Sequence, residues 1–359
     1  MHLSKKLVIR LFANKKKNQD FDFKNVQSIL IRPIGDAVGD AVAHINYARQ
    51  LKKAYPNCRI GMFTTDRNRD VFKCCEEIDE LLEDKPASYL KNRKKWQVLL
   101  DFYASFTSMH IIGDSLLAPE LIMVFEKRAK KYYSLNNVLN YDFHCPPPPE
   151  NHIADRLLTS EFIRHIPLEK SKFHLEIPNH ELTKAISLWP EAAKQKIRVL
   201  LAPQGSDPKR CIPEEDLAEL LNNCPPELLN QVEFVLCNSK FSEPYFAQLK
   251  QLCPPDISLS LAPKTSLKEY LALTASADIA ICVDSGTVHL ACAFNRPLLA
   301  FYANLPKNLK MWHPLPNQGV PFLMVTAKTE KTHNFPLHEA KGWLNQQIKN
   351  CLQQQKASA

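Results

Sequence analysis

Apolar residues along the chain fall into short, branched-rich runs that alternate with amphipathic stretches. The first run, VQSILIRP (26–33), has the length and composition of a buried strand. A loop, IGDAVGD (34–40), follows it, and Val42, Ile45, Ala48 and Leu51 then recur at helical spacing up to Pro56. CRIGMFTT (58–65) predicts a second strand, and WQVLLDF (96–102) a third after a short helix. Strand, loop, helix and strand in this order predict a parallel sheet with right-handed crossovers.

The rhythm restarts further on. Strands are predicted at IRVLLAP (197–203), QVEFVLC (231–237), ISLSLAP (257–263), DIAICVD (278–284) and RPLLAFYA (296–303). Helices are predicted between them at 214–222, 242–252, 266–275 and 286–294. CPPPPE (145–150) reads as a stiff surface loop before a helix-like stretch at 152–164, where His152 reads as structural. The polar stretch 178–195, with Pro178 and Pro190, reads as an interdomain linker. Leu337, Ala340, Leu344, Ile348 and Cys351 form a helical stripe that should dock on a domain. The expected organisation is a basic segment (1–24), a Rossmann-like domain (25–180), a linker (181–196), a second Rossmann-like domain (197–335) and a C-terminal helix and tail (336–359).

With 45% hydrophobic and 23% charged residues, the chain is excluded from the disordered and fibrous classes. No apolar run approaches the ~18 residues that span a bilayer. Lys5, Lys6 and Arg10 interrupt the N-terminal apolar residues, so no secretory signal is expected and the cytosol is the expected compartment. The 11 cysteines, with no C-x-x-C pair, read as reduced thiols, not as disulfides or a zinc site. The net charge of +8 is concentrated in residues 1–24, at KNRKK (91–95) and at EKRAKK (126–131), which points to an anionic partner. No nucleic-acid motif accompanies the charge, so nucleic acid is not the expected partner. Leu3, Leu7, Val8, Leu11 and Phe12 opposite Lys5, Lys6 and Arg10 suggest a basic interfacial helix over 1–17, with Ile9 on its polar side.

Only eight residues are glycine, so the places where glycine occurs are informative. Gly35 and Gly39, Gly205, and Gly286 mark three loops, each after a predicted strand. In DSGTVHLACAFNRP (284–297) a tight Ser285-Gly286 turn leads from a strand straight into a helix. Free N–H groups and the positive dipole end there suit a pyrophosphate. An ordinary helix cap with a structural His289 is the simpler reading of the tripeptide alone.

The longer stretch SLKEYLALTASADIAICVDSGTVHLACAFNRPLLAFY (266–302) resembles glycosyltransferase family 9, the bacterial heptosyltransferases. Asp284, Ser285, Gly286, His289 and Leu290 match that family's D-[ST]-G-x-x-H-L pattern, with Thr287 inside it. ILIRPIGDAVGDAVAHINYARQLKKAYP (29–56) is similar to its opening strand, Gly-Asp turn and helix. The resemblance makes the Asp of that turn the catalytic base. Asp40 of the Gly39-Asp40 pair fits the spacing to Pro56, and Asp36 is the runner-up; a helix cap is the other role open to either. APQGSDPKRCIPEEDLAEL (202–220) resembles the loop that carries a phosphate-binding Lys. Here Ile212 replaces a Trp, and Lys209 and Arg210 share the assignment. Glu243 falls where the family holds the donor nucleoside, and Ala303 in FYANLP stands where a glycine is usual.

The resemblance spans roughly residues 26–315 and implies an α/β, GT-B type fold of two Rossmann-like domains. It also implies an inverting transfer of heptose from ADP-heptose to a lipopolysaccharide core acceptor, at the cytoplasmic face of the inner membrane. Neither a cofactor nor a metal is expected, since no cluster has a divalent-metal pattern. A dinucleotide oxidoreductase is disfavoured by the lack of G-x-G-x-x-G after either first strand. A degenerate member that only binds nucleotide sugar, or one with another donor or acceptor, is the alternative.

Overall fold

The computed structural model describes residues 2–170, 172–207 and 209–358, without the side chains of His2, Leu3 and Ser358. The chain forms two compact units, Met1–Ser171 and Lys172–Ala359. The first unit holds β1 (Ser28–Arg32), β2 (Arg59–Thr64), β3 (Glu80–Glu83), β4 (Val98–Asp101), β5 (Leu121–Val124) and β6 (Phe143–His144). They pair in parallel in the order β3-β2-β1-β4-β5-β6. The second holds β7 (Ile197–Ala202), β8 (Val232–Leu236), β9 (Leu259–Leu261), β10 (Ile279–Val283), β11 (Leu298–Tyr302) and β12 (Phe322–Thr326). Their order, β12-β11-β10-β7-β8-β9, is the same arrangement read from the other edge. Both are the Rossmann order, whose switch point lies between the first and fourth strands.

The central strands β1, β4, β7, β10 and β11 are buried almost throughout, which is why they read as uninterrupted apolar runs. Four further strands went unanticipated: β3 (ELLE), β5 (LIMV), the two-residue β6, and β12. β3 and β6 lie at sheet edges, where partial exposure erases the apolar signature, and β12 closes the edge of the second sheet. The helix-like stretch 152–164 forms two 3-10 helices, Ile153–Thr159 and Glu161–Arg164, interrupted by an extended Ser160. His152 caps the first by accepting the Ala154 N–H at 3.1 Å, a structural role.

The stretch 178–195 belongs to the second unit instead of bridging two domains. Its helix Asn179–Ala185 packs on the helix Leu267–Ser276, and Glu181 pairs with Lys268 at 2.8 Å. Trp189 and Ala193 enter the apolar core beneath β7 and β8, which anchors the segment. Residues 1–24 are likewise part of their unit. The helix His2–Phe12 lies along the helix Ser108–Leu117, with Val8, Ile9 and Phe12 packed on the core. Ile9 therefore faces inward and Leu7 and Leu11 outward, a rotation of the apolar face expected for a free helix; the Leu3 side chain lies outside the described residues. Lys5 donates to Ser108 and Lys15 to Asp142, so two of the basic residues are spent on the fold. The C-terminal stripe docks as its spacing predicts: Leu337, Ala340, Leu344 and Ile348 are buried in the second core. All 11 cysteines are free thiols.

Candidate active site

Both switch points carry the loops singled out by their glycines. In the first unit β1 passes through residues 33–37 into the helix Val38–Ala54, which begins earlier than the apolar spacing suggested. The N-cap is Ala37, in extended conformation, so Asp40 is the third helical residue and not the cap. Its carboxylate turns back to accept the Ala37 N–H at 3.4 Å and lies under Gly35. A methyl group at Gly35 would overlap that carboxylate, so any side chain here would push Asp40 out of this position.

Burial raises Asp40 to about 6, and the charge of Asp36 adds to the rise; the Ala37 amide and the Arg156 and Arg67 cations oppose it. Asp36 is more exposed and binds Arg67 at 3.0 Å. His44, one turn after Asp40, was not visible as a site residue. Its Nε2 accepts the Ile34 N–H at 3.2 Å, so Nδ1 carries the proton donated to the Asp40 carbonyl at 2.6 Å. Burial lowers His44 to about 4, and the neutral ring ties the loop to the helix. The signal was its i+4 spacing from Asp40.

A crevice of about 570 Å³ opens beside Gly35 and Asp36, at the carboxyl ends of β1 and β2. Behind it lies a buried charge cluster. Arg32 meets Asp101 at 3.0 Å, Asp114 at 2.8 Å and Asp84 at 3.9 Å, and Lys127 also donates to Asp101 at 2.7 Å. Burial works against the ionised Asp101, but Lys127 and Arg32 outweigh it and hold the carboxyl below the usual carboxylate range.

In the second unit β7 leads into a tight loop closed by Gly205 N–H donating to the Arg210 carbonyl at 2.7 Å. The Cβ and carbonyl of Arg210 come within contact range of Gly205, which the absence of a side chain there permits. The Arg210 guanidinium reaches Ser206 at 3.0 Å and the Asp284 carboxylate at 3.7 Å. Asp284 directly follows β10 and also accepts from Asn308 at 2.7 Å. Burial raises Asp284, against the pull of Arg210 and Asn308. Ser285 and Gly286 then open the helix Gly286–Ala293. The Ser285 hydroxyl makes no hydrogen bond to the described residues, and Thr287 bonds Tyr270.

Lys209 and Arg210 thus part company. The Lys209 side chain is exposed, whereas its backbone N–H donates to Asp207 and its carbonyl accepts from Thr332. His289 is buried one turn into the helix, with its ring edge-on to Phe173 and 5.5 Å from Trp312. Glu243 stands on the surface, 4.0 Å from Lys264. A cavity of about 270 Å³ nearby is lined by Gln204, Asn238, Ser239, Ser266 and Tyr270, and Glu243 is not in its wall. Gln204 is held there by the Ser239 and Ser242 hydroxyls, each 2.9 Å away. Neither Gln204 nor Asn308 was expected: Gln204 lies in the loop after β7, and Asn308 in the short helix Pro306–Trp312 that continues from FYANLP. Among the described residues no three His, Cys, Asp or Glu side chains group as a metal site.

Known proteins share this architecture. The chain is similar to the Escherichia coli K12 protein named "Putative lipopolysaccharide heptosyltransferase 4", 24% identical over 332 residues, covering 88% of this chain and 87% of that one. The solved E. coli ADP-heptose lps heptosyltransferase II superposes with a TM-score of 0.71 at 16% identity, covering 92% of this chain and 99% of its own. E. coli heptosyltransferase WaaC, solved with ADP, gives 0.67 at 14% identity, covering 89% and 100%. These likenesses identify the fold as the α/β, GT-B type expected from the sequence. Residues 124–336, more than half of the chain, match glycosyltransferase family 9 (heptosyltransferase), and the chain belongs to that family of enzymes.

Proposed function

We propose that this enzyme transfers heptose from ADP-heptose to an inner-core acceptor of lipopolysaccharide, with inversion at the anomeric carbon. The observation that carries the reading is the Asp40 carboxylate, half-buried at a switch point and raised to about 6. A base with that value is ionised at neutral pH yet basic enough to take a proton in the transition state. Asp40 accepts the proton of the acceptor hydroxyl as its oxygen bonds to the anomeric carbon. The bond to the ADP oxygen breaks on the opposite face, and one displacement inverts the centre.

ADP leaves with its charge met by the N–H groups that open the helix Gly286–Ala293 and by the Arg210 guanidinium. Asp284 and Asn308 position that guanidinium, and Thr287 and Tyr270 brace the helix start. The cavity walled by Gln204, Ser239 and Tyr270 takes the nucleoside. The solved relatives that are named for ADP-heptose or hold ADP support this donor. Release of ADP from ADP-heptose in the presence of a truncated core acceptor, with product linkage read by NMR, tests the reading. Donor binding without transfer to any core acceptor would leave a nucleotide-sugar binder instead.

On this reading the enzyme works at the cytoplasmic face of the inner membrane, where such an acceptor would be met. Leu7 and Leu11, more than half exposed beside Lys6 and Arg10, support contact with an anionic lipid surface. Deleting 1–17 would expose core under Phe12 and Ala13, so Leu7→Ser with Leu11→Ser is the cleaner test. The pair should lower flotation with anionic vesicles several-fold and leave the thermal transition in place.

A further inference from the structure

The crevice beside Gly35 and Asp36 is built from groups that read hydroxyls, and its charges disfavour a class of ligand. Its wall presents Asp84, Asn68, Tyr103 and Thr107 as polar groups and Phe63 and Met109 as apolar surface. Carboxylate, amide and hydroxyls set against apolar faces suit a polyhydroxylated ring, whose edges donate and accept and whose faces are apolar. Asp84 is the best-supported of these groups. Its carboxylate accepts from the Tyr89 hydroxyl and from His110 Nε2 at 3.1 Å, while its side chain remains 20% exposed. Burial works to raise it, but His110, Arg32 and Tyr89 outweigh that and hold it ionised. A carboxylate has about four acceptor positions, so capacity remains for a ligand hydroxyl.

The cations around the crevice are spent. Among the described residues Arg32 is the one cationic side chain in its wall, and it is 2% exposed and shared by Asp84, Asp101 and Asp114. Lys127 is sealed on Asp101 and the Tyr103 carbonyl. Outside the wall Arg67 pairs with Asp36, and Arg69 and Lys85 pair with Glu83. An anionic ligand would meet Asp84 and Asp36, and among the described residues the wall holds no cation besides Arg32, which three carboxylates already share.

We infer that this crevice holds the neutral, polyhydroxylated terminal residue of the acceptor, and that Asp84, braced by His110 and Tyr89, selects it against a carboxylated or phosphorylated one. The inference rests on the proposed transferase reading and specifies the acceptor class at that site.

The test compares the full-length enzyme on two synthetic acceptors matched except at the terminus, one ending in a neutral heptose and one in an ulosonic acid. The expected result is a kcat/KM at least tenfold higher for the neutral terminus. Asp84→Asn should raise the neutral acceptor's KM about tenfold and leave donor affinity, measured by calorimetry, unchanged. Met109→Arg, at a half-exposed rim position that tolerates a long side chain, should shift the preference toward the acidic terminus. Equal or better use of the acidic acceptor by the unaltered enzyme overturns the inference and leaves the transferase reading standing. So does an unchanged preference in both variants. Transfer to neither acceptor, with no donor binding, overturns both.

Discussion

The two units repeat one sheet order but present opposite charges at their switch points. In the first, the guanidinium of Arg32 is hidden at 2% side-chain exposure, and the carboxylates Asp84 and Asp36 remain 20% and 39% exposed. In the second, the carboxylate of Asp284 is hidden at 9%, and the guanidinium of Arg210 is 38% exposed. The Arg32–Asp84 and Arg210–Asp284 pairs each bury one member and show the other, whereas Asp36 pairs with the exposed Arg67. Topology chose where both sites lie, and a few loop residues decided that one offers proton acceptors and the other a cation beside a helix N-terminus. A transferase with a neutral nucleophile and an anionic leaving group needs one of each.

The largest effect expected from breaking this contrast comes from Asp40→Asn. Turnover should fall by about 10²–10⁴-fold with donor affinity intact, as measured by steady-state kinetics and calorimetry. Asp36→Asn, at an exposed ion pair, should cost far less; the reverse ranking would move the base to Asp36. In the unaltered enzyme kcat/KM should decline as pH drops through about 6 and Asp40 protonates. Stability should run the other way. A folded-state value above the ordinary 3.8 means the native state holds the extra proton, so Asp40 costs stability as pH rises from about 4 to 6. Asp40→Asn should therefore raise the melting temperature at pH 7.

Next in size is Arg32→Met, which leaves Asp101 and Asp114 buried without their shared cation. A loss of about 3–5 kcal/mol in denaturant unfolding is expected for the first unit. Opening the exposed cation of the other site should cost less. Arg210→Ala removes charge-assisted contacts worth about 1.5–3 kcal/mol, a tenfold to hundredfold loss of ADP affinity. Lys209→Ala, whose side chain points to solvent, should lose under threefold, and equal losses would return the phosphate contact to both residues. Glu243→Ala should be the mildest change, within about 0.5 kcal/mol in donor binding, as for other surface substitutions.

Much of this was legible in the chain itself. Buried parallel strands such as ILIR and IAICV announce themselves because both faces are covered. The helices Glu214–Asn222 and Ser242–Leu252 fall where 3.6-residue periodicity put them. The loops at the two switch points were marked by rare glycines after strands, and the proposed Asp40, Arg210 and Asp284 lie in or next to them. Those signals are local, carried by the backbone's own periodicity and by which residue tolerates a tight turn.

The tertiary structure alone decided which charges are visible. Arg32, Asp84, Asp101, Asp114 and Lys127 come from five separate segments, and nothing in their local sequence says that one cation serves three carboxylates. The same holds for Asn308 reaching Asp284, for Gln204 entering a cavity wall that Glu243 does not, and for Ile9 turning inward while Leu7 turns out. Sequence determines the period and the turn, because these depend on neighbours along the chain. Desolvation and ion pairing depend on neighbours in space, and only the packed sheets bring those together.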